Sequence, residues 1–120
     1  MCRAVTEEMF TDGPGLAFIQ GDERRQREFT PRFFRIAGKL GAIAAARLRR
    51  LDLPVLLLLA ERDDAVDNER TQAAFEKLDE ALLTTRTLDS RHGLLFDAPS
   101  EFVDEVGRFV DRIATPGGAV

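Results

Sequence analysis

LPVLLLLAERDDAVDN, residues Leu53 to Asn68, decides how the rest of the chain is read. Val55 to Leu59 are five consecutive aliphatic residues with no polar residue at alternating positions. A strand here is expected to bury both faces, the pattern of an interior strand of a parallel sheet. Pro54 stands at the start, where a strand can best spare a donor. Glu61, Arg62, Asp63 and Asp64 then end the apolar run in a polar loop. In open α/β sheets, loops at the carboxyl ends of strands carry the chemistry.

Working outward toward the C-terminus, Asn68 to Leu78 reads as a helix capped by Asp67 or Asn68, with Thr71, Ala74, Phe75 and Leu78 on one face. Leu82 to Leu88 reads as a second strand. Strand, helix and strand make a βαβ unit, whose strands are parallel and end on the same edge. Pro99 to Ile113 closes the unit as a helix, with Phe102, Val106, Phe109, Val110 and Ile113 in a stripe and Pro99 at the first turn. The tail ATPGGAV is expected to fray.

Toward the N-terminus, Thr30 to Arg50 reads as an amphipathic helix of about five turns, opened by Thr30-Pro31, with Phe33, Ile36, Ala37, Leu40, Ile43, Ala44 and Leu48 recurring at helical spacing. Gly38 and Gly41 weaken it by about 1 kcal/mol each and mark a kink or a close contact. Phe29, Phe33 and Phe34 read first as core and second as the lining of an acyl-chain pocket. Arg47, Arg49 and Arg50 read as a solvated helix end. Thr6 to Phe10 and Leu16 to Ile19 read as short helical pieces separated by the turn residues Asp12, Gly13, Pro14 and Gly15, with no chemistry attached.

The chain has 120 residues, 44% hydrophobic and 32% charged, which suits one globular domain rather than a disordered segment. A net charge of −4 gives no electrostatic reason to expect nucleic acid. Cys2 is the only cysteine, so neither an intramolecular disulfide nor a thiolate metal site is expected. Met1 to Phe10 holds no long apolar run of the kind a signal peptide needs. No stretch approaches the roughly 20 apolar residues of a membrane span. A cytoplasmic protein with no cofactor and no metal is the expectation.

Parallel neighbours about 5 Å apart would bring the loop at Glu61 to Val66 beside the loop at Asp89 to Phe96. His92, the only histidine of the chain, lies in that second loop. An acid that holds an imidazole in one tautomer is the orienting half of a nucleophile–base–acid arrangement. Asp63 is the chosen acid. Asp67 is expected to cap the helix and Asp64 to point off the other side of the turn. Asp63 and His92 are therefore the candidate catalytic residues.

These residues carry a family resemblance. The apolar strand running into Ala60-Glu61-Arg62-Asp63-Asp64-Ala65-Val66, followed by His92-Gly93-Leu94-Leu95-Phe96-Asp97, resembles the C-terminal part of the α/β-hydrolase fold. More narrowly it resembles the monoacylglycerol-lipase or serine-aminopeptidase-like branch, with its G-x-x-D-x-x-V and H-G-x-x-F-[ED] patterns. The resemblance covers Leu53 to Ile113 and keeps the family's order of acid before histidine. It implies that Asp63 is the triad acid, that His92 is the base and that Asp97 is the acidic residue that follows the histidine. Residues 1–52 would be a helical cap or lid, 53–114 the C-terminal βαβα part of the core with two parallel strands, and 115–120 a disordered tail. The implied substrate is a small-molecule carboxylic ester or amide, lipid-like in the intact family.

The sequence departs from the family where Ala60 replaces glycine and where Arg91 stands beside the histidine. It also contains no G-x-S-x-G nucleophile elbow, and its serines, Ser90 and Ser100, occupy no strand-to-helix turn. A truncated hydrolase carrying acid and base without the nucleophile half is expected to be inactive alone. The alternative is a non-catalytic interaction module. Either way, a two-stranded sheet with an apolar strand is expected to self-associate or to bind a complementary chain.

Overall fold

The computed structural model describes residues 6–24 and 29–115. Its centre is a two-stranded parallel sheet, β1 (Val55–Ala60) beside β2 (Leu83–Leu88), in the register Val55 opposite Leu83 through Ala60 opposite Leu88. Between them runs α4 (Asn68–Phe75), the crossover that parallel pairing requires. Asp67 caps it by accepting from the Arg70 N–H at 3.0 Å. Asn68 ties the helix start back to the sheet by donating to the Ala60 carbonyl at 2.7 Å. Among the described residues Leu57, Leu59, Ala60, Leu78, Leu88 and Ala98 form the buried apolar core.

Burial of β1 differs from the expectation for an interior strand. Leu57 and Leu59 are buried, but Val55, Leu56 and Leu58 are only half-buried. Among the described residues β2 is the single neighbour of β1, which leaves β1 an edge strand with one open side rather than an interior one. After a one-turn helix, α5 (Leu94–Asp97), the closing helix, α6 (Pro99–Ala114), shows the same shortfall. It docks on β2, where Arg112 donates to the Thr84 hydroxyl at 2.9 Å and Arg86 pairs with Glu105 at 3.5 Å. Phe102 and Phe109 are half-buried, whereas Val106, Val110 and Ile113 of the same stripe stay exposed.

Before the sheet come α1 (Glu7–Phe10), α2 (Gly13–Gly21) and α3 (Pro31–Arg47), the last continued by a 3-10 turn at Leu48–Arg50. Thr30 caps α3 by accepting from the Phe33 N–H at 3.2 Å. The residues expected to form a turn before the second helical piece, Gly13 to Gly15, are instead its first turn. Gly13 has φ +55, the left-handed region in which glycine is at ease. No residue of α3 is buried, so Phe33 and Phe34 are not core. Phe29 is also exposed and stacks on Phe33 with ring centroids 4.7 Å apart. Gly38 and Gly41 meet no neighbour, and the helix runs unbroken through both, so neither marks a close contact. The radius of gyration, 16.5 Å, exceeds the ~13.6 Å of a compact chain of this length, as expected when one long helix stands off the body.

Candidate active site

The pairing of the strands continues past their ends. Glu61 N–H donates to the Leu88 carbonyl at 2.9 Å and Arg62 N–H to the Ser90 carbonyl at 3.0 Å, so the two loops leave the sheet side by side. The first loop turns on Asp63, whose Oδ1 accepts from the N–H groups of Ala65 at 2.9 Å and Val66 at 2.8 Å. That fixes the carboxylate and aims its second oxygen at the neighbouring loop. Asp63 Oδ2 lies 2.9 Å from Nδ1 of His92. The Asp63 side chain is 7% exposed and that of His92 35%, so the acid lies beneath the imidazole. Nε2 of His92 has no hydrogen-bond partner among the described residues.

Burial alone would raise the Asp63 carboxyl, but hydrogen bonds from His92, Val66 and Ala65 outweigh it and hold the group below its ordinary range. Asp63 is therefore ionised at neutral pH. A buried carboxylate with both oxygens engaged favours the proton on Nδ1 of His92 and leaves the lone pair on Nε2. Asp67 caps α4 as expected, but Asp64 does not point off the other side of the turn: it also crosses to the second loop, where it pairs with Arg91 at 3.2 Å.

Asp97 anchors the second loop from below. Its Oδ1 accepts from the Thr11 hydroxyl and from the Asp12 N–H at 3.3 Å, and its Oδ2 accepts from the Arg91 N–H at 2.9 Å. Burial works to raise this carboxyl too, and the hydrogen bonds from Thr11, Arg91 and Asp12 together with the charge of Arg62 hold it low. Phe10 completes the wall, edge-on to His92 with centroids 5.4 Å apart. Its carbonyl accepts from the Gly93 N–H. A Cβ at position 93 would meet Phe10 Cε1 and the Phe10 carbonyl oxygen, each at 2.9 Å, so only glycine fits beside the histidine.

Phe10, Thr11 and Asp12 were not legible as site residues. The signal available was Asp12 ahead of Gly-Pro, which usually reads as a helix cap. Its side chain makes no such bond because Oδ2 is shared between Arg62 and Arg91, each at 3.3 Å. Neither serine is presented to the imidazole as a nucleophile would be: Ser90 is fully buried with its hydroxyl unpaired, and Ser100 lies in the exposed first turn of α6. Among the described residues no group of three or more His, Cys, Asp or Glu side chains could hold a metal ion, and no helix is long and apolar enough to cross a membrane.

An acid and an imidazole on adjacent loops of parallel strands, acid first in the chain, is an arrangement of the α/β-hydrolase class. A family model described as Serine aminopeptidase, S33, matches residues 5–99, and the chain belongs to that α/β-hydrolase family. The match takes in the helical segments ahead of β1 as well as the βαβ unit. No curated protein and no solved structure matches the chain.

Proposed function

We propose that Asp63 and His92 are the acid and base of a Ser–His–Asp triad that hydrolyses a carboxylic ester or amide. The nucleophilic serine would be supplied from outside these 120 residues. The 2.9 Å contact between Asp63 Oδ2 and His92 Nδ1, on a chain of this family, carries the proposal. In the reaction, His92 Nε2 takes the proton of the serine hydroxyl as that oxygen attacks the carbonyl carbon, and Asp63 stabilises the imidazolium that results. The same proton then goes to the leaving alcohol or amine. A water activated by His92 releases the acid product. The donors that would hold the tetrahedral oxyanion belong, like the serine, to the supplied part. That part would also cover Val103, Val110 and Ile113, which are exposed on α6.

Two measurements test this. The 120-residue chain should show no turnover of an unactivated short-chain ester above that of His92→Ala. Nitrogen-resolved NMR should find the His92 proton on Nδ1, with Asp63→Asn redistributing the tautomers. Turnover that vanishes in His92→Ala would put the nucleophile inside this chain. A proton held on Nε2 would remove His92 as a base.

A further inference from the structure

We propose that α3 is an interfacial helix that lies flat on an anionic lipid surface, an inference independent of the triad. Residues 29–50 carry six cations, Arg32, Arg35, Lys39, Arg47, Arg49 and Arg50, and no acid. The whole chain has 17 cations and 21 acids, so eleven cations face 21 acids elsewhere, a net of −10 against +6 in this segment. A chain that is acidic overall thus carries a net positive segment, free of acids, on one helix and its C-terminal turn.

The charge runs beside an uncovered apolar stripe. Phe33, Ile36, Leu40 and Ile43 follow at intervals of three and four residues and are 48%, 45%, 60% and 50% exposed. Arg32, Arg35 and Lys39 each precede a stripe residue by one position, about 100° round the helix, which lays a basic row along the stripe. From there long cationic side chains can reach phosphate groups while the stripe enters the acyl boundary. Away from the stripe, Ala42, Ala45, Ala46 and Arg49 line an open depression together with Lys77. With three phenylalanines at its N-terminal end and no acid, the helix has the composition of a surface-bound rather than a spanning segment.

Helix α6 shows why charge selects the partner. It exposes a comparable stripe, but its neighbours include Glu101, Asp104, Glu105 and Asp111, and an anionic surface would repel it. Duplex nucleic acid would also attract six cations, yet it would leave the stripe in water.

The test is flotation of the 120-residue chain with vesicles of phosphatidylcholine alone and of phosphatidylcholine mixed with phosphatidylserine. Binding is expected to the mixed vesicles only and to weaken as salt rises. Replacing Arg32, Arg35 and Lys39 together by glutamine should weaken it on the order of a hundredfold, about fivefold per cation. Phe33→Ser with Leu40→Ser should abolish insertion while circular dichroism stays unchanged, because neither side chain is part of the core. Equal binding to both vesicle types, no binding, tighter binding to duplex DNA, or conversion of a stable dimer to monomer by the stripe substitutions would each overturn the proposal.

Discussion

Around His92, three distant parts of the chain hold one another: the loop after β1 through Asp63, the loop after β2 through His92 and Asp97, and the N-terminal segment through Phe10 and Thr11. Helix α3 is longer than any of these segments, yet no residue of it is buried. Both regions are rich in apolar and charged residues. They differ in what the charges find. At the site, carboxylates accept backbone N–H groups and hydroxyls inside the fold, whereas in α3 the cations have no acid on their own helix to meet. Sequence periodicity describes an apolar face equally well in both cases. Whether that face is core depends on what the rest of the chain brings to it.

The contrast breaks most easily at an apolar residue. Leu59→Ala should cost about 2–5 kcal/mol through lost burial and the cavity left in the sheet, whereas Leu40→Ala should stay within about 0.5 kcal/mol, both read from urea unfolding. A large effect at Leu40 would mean that α3 packs on the body. Gly93→Ala should come next, at about 1–3 kcal/mol, because the new methyl group must push Phe10 away. Loss of the Phe10 ring current from the His92 resonances would register that movement. Thr11→Val should cost about 1–2 kcal/mol by leaving Asp97 one donor short in a buried place.

A pH titration sharpens the site side of the comparison. Asp63 and Asp97 both titrate below the ordinary carboxylate range in the folded chain, so the unfolded chain binds their protons more tightly. Their contribution is complete above the unfolded carboxylate pKa and is lost as pH falls through it toward the folded values. The urea midpoint should therefore drop on acidification, and less so in Asp63→Asn. The smallest effect belongs to Asp12→Asn, whose partners Arg62 and Arg91 are solvent-accessible. It should cost about 0.2–1 kcal/mol and fade in high salt.

The βαβ unit was legible because its signals are local. An aliphatic run, a capped helix and a leucine-threonine run each announce themselves, and the strand and cap boundaries fall within a residue or two of expectation. The two helices that flank the unit were also legible as helices. Their burial was not, since an apolar stripe does not state whether another element covers it. At the site, Asp63 and His92 followed from strand topology and from the family pattern. Phe10, Thr11 and Asp12 did not, because their partners lie 50 to 86 positions away and no periodicity encodes such a contact.

That separation sets an order of assembly. β1 and β2 pair residues 28 positions apart, whereas the bond from Thr11 to Asp97 spans 86. Closing the longer loop costs about 1 kcal/mol more in chain entropy, and it is repaid only after Asp97 has a fixed place to receive the hydroxyl. The strands and the Asp63–His92 contact should therefore form before the N-terminal segment arrives, and Phe10 should be the last group to reach the imidazole. While it folds, the chain would pass through a state in which the Asp63 carboxylate and the His92 imidazole already face each other and the ring that walls them in is still in solvent.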